Sequence, residues 1–465
     1  MPPKGSLVLG SELEIAEHVI EDMTDALGEI VSNGGIVYAW SGTHWSAIAP
    51  RRLFSLIKPY DGLEYGFAGN RRVIRLSKQK IEAVEKLIVR ILDVPDYFAT
   101  LATGVPCLNG LIRFDGGKAI LEPHHPSHRN RHVMPMEWDG TIVTDPPEGT
   151  LLFKYLDGIF QGDEDAADKR LLLAEVMGVA LAGSSTQLTA PKAIILHGAS
   201  AENGKSQFQV MLQALVPQDA QVTLSPALLG DPRNVVHLDG AALVSASEIG
   251  GRAIASEALK AAVTGDAMFA RPLYKPGHSV HPKALHVYSA NQLPGFSSGM
   301  DAGVRRRLLI VAFNRVIPHD ERIGEIGLRI AEHEYPILFG WAIGGGLRAT
   351  CQGQFTQLPS SDAALKEWAV VSDPIECWLG DPSATLVTGS DTDRIATKAA
   401  FAAFRKWAET EGLRDVDAGT HTMFTQRLRG FAARGLRIRH GNRGNMVHGL
   451  ALVQRNSAAG GGATR

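Results

Sequence analysis

The sequence predicts an α/β protein: a parallel sheet flanked by helices, with a small α+β module ahead of it and a helical, hairpin-ended module behind. Three observations carry this. Between 191 and 313, short apolar runs alternate with helix-like stretches, as strands joined by helical crossovers do. Before that region, two helical patterns bracket alternating, turn-rich segments. After it, GQFTQLPSS and GDPSATLVTGSDTD are polar and turn-rich, and they read as linkers to a further module. At 465 residues, 45% hydrophobic and 21% charged, the chain has the composition of a globular protein with more than one core.

Taken in order, SELEIAEHVIEDMTDALGEIV and KQKIEAVEKLIVRIL place apolar residues at three- and four-residue spacing, so both read as helices. Between them GGIVYAWSGTHWSAI alternates like a hairpin turning near Ser41-Gly42. LNGLIRFDGGKAILEP reads as short strands punctuated by Asn109-Gly110 and Gly116-Gly117. Residues 1–148 therefore form an accessory α+β region without a recognisable catalytic centre. A helical block near 149–183 opens the sheet-bearing domain, 149–355, whose last helical run is EIGLRIAEHEYPILFGWAIGGGLRA. In 370–455, ATKAAFAAFRKWAETEG and TMFTQRLRGFAARG are amphipathic helices and LRIRHGNRGNMVHGLALV is a hairpin, a winged-helix-like order. The tail 456–465, NSAAGGGATR, reads as disordered.

Charge is distributed unevenly. The formal net charge is −2, yet from position 421 onward there are eight arginines, no lysine and no acidic residue, so that segment carries +8 and the rest sums to −10. A polyanion, nucleic acid above all, is the expected partner of such a segment, with Arg427, Arg429, Arg437, Arg439 and Arg443 as candidate contacts. Cys107, Cys351 and Cys377 stand far apart without a CxxC pair, which argues against a disulfide framework and a zinc site. No apolar run approaches membrane-spanning length and the start, MPPKGSLVLG, lacks a signal-peptide h-region, so a cytoplasmic location is expected.

The densest chemistry lies in KAIILHGASAENGKSQFQVML. An apolar strand runs into a glycine-containing turn and then a helix, an arrangement whose backbone N–H groups and helix dipole converge on phosphate. Lys205 would reach the β- and γ-phosphates and the Ser206 hydroxyl would ligate Mg²⁺, so ATP and Mg²⁺ are the expected ligands, bound along Gly198, Ala199, Asn203, Gly204, Lys205, Ser206 and Gln207. The spacing departs from GxxxxGK[ST]: Ala199 stands where the first glycine belongs and Gly198 lies one residue early. Downstream, the strand GAALVSASEIG ends at Glu248, placed to hold Mg²⁺ through water and to activate the attacking water. Asp239 precedes that strand and reads as a turn residue. A Lys275-Pro276-Gly277-His278 turn tips a hairpin with two basic groups suited to a phosphate backbone. ALHVYSAN ends at Asn291, a neutral hydrogen-bonder that could align water, and Arg305-Arg306-Arg307 precede the strand LLIVAF, where guanidiniums call for anions.

In this order and spacing, Gly-Lys-Ser, the strand ending in Ser-Glu, LKAAVTGDAMFARPLYK, YSANQLP and RRRLLIVAF resemble the superfamily 3 helicases of phage and plasmid primase-helicase proteins. The likeness covers about 100–350, and more weakly the basic module at 370–455. It implies an AAA+ ATPase core, a homo-hexameric ring, and ATP-driven translocation on single-stranded or forked DNA, typically 3′ to 5′. It implies Walker A roles for Lys205 and Ser206, a Walker B role for Glu248, a sensor role for Asn291 and an arginine finger at Arg306 or Arg307, with Arg307 slightly preferred. Lys275 and His278 would sit on the hairpin that enters the pore. The family often carries a primase ahead of the helicase; the first 100 residues lack its acidic or zinc-ligand pattern, so priming would come from a separate partner. His124, His125, His128 and His132 in EPHHPSHRNRH read as a solvated turn, because Pro123 and Pro126 break any helical register. The alternative readings are an ATP-dependent replication initiator or loader, a DNA-binding protein without processive unwinding, and, more remotely, a small-molecule P-loop kinase.

Overall fold

The computed structural model describes residues 7–67, 69–100, 102–250, 253–273, 277–296, 300–411, 419–441 and 444–453. Lys275, Arg443 and the tail 456–465 lie outside the described residues.

In the N-terminal region the helices Glu12–Leu27 and Lys78–Ile91 pack together through Ile15, Val19, Val84 and Ile88. Ser11 caps the first helix by accepting from the Glu14 N–H. The Glu14 carboxylate reaches back to the N–H groups of Val8 and Gly10, each at 2.6 Å. The alternating segment between the helices is a three-stranded antiparallel sheet of Ile30–Asn33, Ile36–Trp40 and Trp45–Ala47, with Trp40 opposite Trp45. A helix that periodicity did not announce, Pro50–Ile57, follows, opened by the fixed φ of Pro50. A second antiparallel sheet joins Val105–Cys107, Gly110–Asp115 and Lys118–Glu122, turning through left-handed Gly116 and Gly117.

The centre of the molecule is a five-stranded parallel sheet: β1 (Ala193–His197), β2 (Gln221–Thr223), β3 (Leu243–Ala246), β4 (Leu285–Ala290) and β5 (Leu308–Ala312), in spatial order β2-β3-β4-β1-β5. Period-two alternation divides its side chains between two cores. Ile194, Leu196, Leu243, Val287 and Leu309 enter one, while Ile195, Val244, Tyr288, Leu308 and Ile310 enter the other. Helices α1 (Leu151–Ile159), α2 (Ala166–Ala182), α3 (Lys205–Leu215) and α4 (Tyr335–Gln352) supply the first core. The pair α2 and α4 touch backbone to backbone. A Cβ on Gly345 would lie 2.1 Å from the Ala174 carbonyl carbon, and one on Gly178 would lie 2.1 Å from the Ala342 oxygen. The Gly344-Gly345-Gly346 run in the sequence is thus a close-approach surface and leaves the helix unbroken.

Within the stretch read as a linker, Pro359 opens helix α5 (Pro359–Ser372), which packs against β5. Its Trp368 is buried on Phe296 and donates its indole N–H to the Pro294 oxygen at 2.7 Å. The C-terminal region has its own core of Trp378, Phe404, Phe424, Leu428 and Val447. It is built from helices α6 (Pro374–Gly380), α7 (Thr397–Thr410) and α8 (His421–Arg429) and a sheet in which Arg437–Gly441 and Gly444–His448 form the hairpin and Arg394–Ala396 joins its second strand. Among the described residues no helix is long and apolar enough to cross a membrane.

Candidate nucleotide-binding site

Strand β1 releases the chain into the loop 198–204, and α3 begins at Lys205 with Gly204 as its cap at φ 90°. Gln207 and Phe208 both donate their N–H groups to the Gly204 oxygen, at 3.0 and 3.2 Å, and the amides ahead of them, without an intrahelical acceptor, stand with the positive end of the dipole at the sheet edge. Lys205 is buried, and its Nζ donates to the Gly198 oxygen at 2.7 Å. Burial pushes its ammonium below the usual lysine range, and the Glu248 carboxylate opposes that shift. Lys205 and Glu248 therefore face one electrostatic environment from two strands separated by β4.

Gly198 explains the irregular spacing. A Cβ there would lie 2.3 Å from Asn203 Nδ2, 2.8 Å from the Phe313 oxygen and 2.9 Å from Lys205 Nζ, whereas Ala199 is exposed and carries its methyl without conflict. The glycine the loop needs is the one level with the end of β1, a requirement that spacing alone could not reveal. Asn203 is buried as the loop's internal brace, its Nδ2 donating to Ser200 O at 2.8 Å and Phe313 O at 3.3 Å. Ser206 is exposed, while Gln207 accepts the Gly327 N–H at 2.9 Å and ties α3 to the helix Ile326–His333.

Glu248 is exposed just past β3 and holds a left-handed conformation at φ 52°. For a residue with a Cβ such a conformation is strained and persists where the surroundings fix it. Here Ile249 is anchored by its N–H to the Ser289 oxygen at 2.8 Å. Asn291 is exposed beyond β4, and its backbone meets the His197 side chain. Burial, then the nearby Lys205 charge, lowers the His197 imidazole below its ordinary range; the contact with Asn291 opposes this. Lys205, Ser206, Glu248 and Asn291 thus gather at the C-terminal edge of the sheet, where parallel sheets bind ligands.

Beside the loop opens a cleft of about 600 Å³ that sequence reading did not anticipate. Tyr155, Ile159, Ile317, Ile323 and Ile326 give it an apolar wall, and Gly204 to Gln207 form its floor. The Tyr155 hydroxyl donates to the Gly204 oxygen at 3.0 Å, so α1 fixes the loop from the cleft side. A cleft of this size joined to a row of helix N-terminal amides suits a ligand with a flat ring and an anionic tail.

The arginine triplet lies elsewhere. Arg307 is level with the start of β5, which pairs with the start of β1, so the triplet stands at the opposite edge of the sheet, about 16 Å of strand away. Arg305 and Arg306 are exposed; Arg307 folds back to donate to Gly303 O at 2.9 Å. His278 begins the second strand of a hairpin, His278–Val280 against Met268–Ala270.

The basic C-terminal segment meets acids from earlier in the chain. Arg427 pairs with Asp373 and stacks 4.5 Å over Phe431, Arg434 pairs with Glu376 at 2.7 Å, and Arg437 and Arg439 both approach Asp391, at 3.8 and 3.0 Å. Arg429 is exposed at the end of α8. The histidines of EPHHPSHRNRH sit around a turn held to the N-terminal region by the Trp45 indole N–H, which donates to Pro126 O at 2.9 Å, and His124 bonds the Cys107 main-chain oxygen at 2.7 Å. Among the described residues no group of histidine, cysteine and carboxylate side chains could hold a metal ion.

Residues 196–307 match a family described as a family of unknown function, DUF5906, a span running from the end of β1 through Arg307. None of the curated proteins is similar in sequence to this chain. Among solved structures, the chain is similar to the A form apo structure of the NrS-1 C terminal region at 11% identity and TM-score 0.44, over 96% of this chain and 99% of that one. The apo structure of NrS-1 C terminal region (305-718) gives 11% identity and TM-score 0.46 over 95% and 99%. Likeness at that level says nothing about activity.

Proposed function

We propose that the chain is an ATPase of AAA+ type that assembles into a ring and translocates on single-stranded DNA, as a helicase of phage or plasmid replication. The observation that carries this reading is the meeting of Lys205 and Glu248 at one sheet edge, with β4 and its Asn291 inserted between their strands. The inserted strand brings Asn291 to the same edge as the lysine and the acid, as a water-aligning role requires.

In this reading the loop 198–204 and Lys205 hold the phosphates, and the apolar cleft receives the nucleoside. Glu248 takes a proton from water as its oxygen attacks the γ-phosphorus; the bond to the β–γ bridging oxygen breaks and ADP leaves with those electrons. Asn291 aligns that water. Mg²⁺, when bound, would neutralise charge on the β- and γ-phosphates, and Ser206 and Glu248 are the residues that would hold it. Arg305 to Arg307 are too far from their own chain's loop to act there, which supports their delivery to a neighbouring protomer; Arg306, exposed, is better placed for that than Arg307. The hairpin bearing His278 would contact the DNA backbone, and the C-terminal helices and hairpin would act as a winged-helix-like DNA-binding module. The test is ATP hydrolysis by the purified chain: single-stranded DNA should stimulate it and Lys205→Ala should abolish it. Hydrolysis that survives Lys205→Ala contradicts the assignment.

A further inference from the structure

We infer that Arg322 contacts the nucleotide's phosphates and is held in reserve by Glu202, so that the phosphate-cradling loop carries its own competitor for the arginine; this rests on the nucleotide reading of the loop 198–204. Glu202 lies within that loop at φ 62°, a left-handed conformation in which a side chain is strained. Its carboxylate is an odd neighbour for a polyphosphate, since like charges in one cradle repel. It stands 2.6 Å from Arg322 Nη2. The backbone supports that pairing: the Ile317 N–H donates to the Glu202 main-chain carbonyl at 3.0 Å, and Arg322 Nε donates to the Ile317 main-chain carbonyl at 2.8 Å. Arg322 therefore overhangs the cleft whose floor includes Lys205 and Ser206.

Two arginines stand in this segment, and they differ in how firmly they are held. Arg315 donates to Gly158 O at 2.9 Å and to both Glu321 oxygens, and its side chain is 17% exposed, so it is committed to the wall. Arg322 is 33% exposed and Glu202 55%, so their pair can separate without leaving a buried charge behind. A guanidinium has five N–H donors in a planar fork, and a polyphosphate offers more negative charge and a better bidentate match than a single carboxylate. Glu202 keeps Arg322 at the cleft and neutralises it; entry of the phosphates draws the fork away.

The experiment is calorimetric titration of the full chain with Mg-ADP, comparing wild type with Arg322→Ala and Glu202→Gln, and with thermal unfolding of each unliganded protein as the folding control. Arg322→Ala should weaken ADP about tenfold, Glu202→Gln should tighten it severalfold, and Arg322→Lys should fall between wild type and alanine. Changes of opposite sign in the two variants are the signature of competition. If both variants weaken ADP, the pair only braces the cleft and the inference is overturned; an unchanged affinity in Arg322→Ala overturns it as well. If wild type fails to bind ADP, or Lys205→Ala binds it equally well, the nucleotide reading fails first and takes the inference with it.

Discussion

The Lys205 ammonium sits 2.7 Å from the carbonyl oxygen of Gly198, seven residues earlier, and the space for that contact exists because position 198 has no side chain. In the proposed nucleotide site, a phosphate oxygen would take the place of that neutral carbonyl as the lysine's acceptor. Gly198→Ala would push a methyl group against Lys205 Nζ, Asn203 Nδ2 and the Phe313 oxygen, a crowding worth about 1–3 kcal/mol. ATP affinity should fall roughly ten- to a hundredfold. Ala199→Gly, which would restore the usual motif spacing, should change affinity little. Fluorescent-nucleotide titration of both variants checks this, and a larger loss in Ala199→Gly would contradict it.

Glu248 should separate binding from hydrolysis. Glu248→Gln keeps the shape past β3 and removes the base, so turnover should drop by at least about a hundredfold while ATP affinity stays near wild type. Steady-state hydrolysis measured beside equilibrium binding distinguishes this from a collapse of the site, in which both would fall together.

The triplet's distance from its own loop makes a prediction about mixtures. Lys205→Ala and Arg306→Ala should each be inactive alone. If sites form between protomers, mixing the two inactive proteins should restore a measurable fraction of hydrolysis, because some interfaces pair an intact loop with an intact arginine. No recovery over a range of mixing ratios, under conditions where assembly is verified by sedimentation, would count against an interfacial site.

Stability should depend on pH through His286. Burial pushes its imidazole down to about 4, against a smaller opposing contact with the Ala262 backbone, and its Nδ1 lies 2.8 Å from the Tyr288 hydroxyl. An unfolded histidine takes up its proton near pH 6.5, so the unfolded chain gains protons first as pH falls. The stability is fully present above about pH 6.5 and is lost between there and pH 4, with a slope approaching 1.4 kcal/mol per pH unit for this one group, roughly. Urea unfolding between pH 6.5 and 5 should show a smaller slope in His286→Phe than in wild type.

Much of this was legible in the sequence, for identifiable reasons. The parallel sheet was visible because strands buried on both faces are continuous apolar runs, and 191–313 holds such runs separated by helix patterns. The strand ends beside Glu248 and Asn291 and the helix start at Lys205 and Ser206 were legible because the apolar runs stop there. Helix α5 was not: its start, Leu358-Pro359-Ser360-Ser361, has linker composition, and only tertiary burial of Trp368 reveals its role. The charge balance of the C-terminal module was also hidden. Sequence counts acids only along the segment, whereas Asp373, Glu376 and Asp391 reach its arginines across the fold. The cleft beside the loop was invisible because its walls come from α1, α3 and residues 317–326, which no local pattern connects.

The most direct test of the central claim is strand displacement on a forked DNA duplex that carries no origin-like sequence. With Mg-ATP the wild-type chain should release the displaced strand, and Lys205→Ala and a non-hydrolysable ATP analogue should each prevent release. Hydrolysis stimulated by DNA but without displacement on any fork would contradict a translocating ring and leave an ATP-dependent initiator or loader in its place.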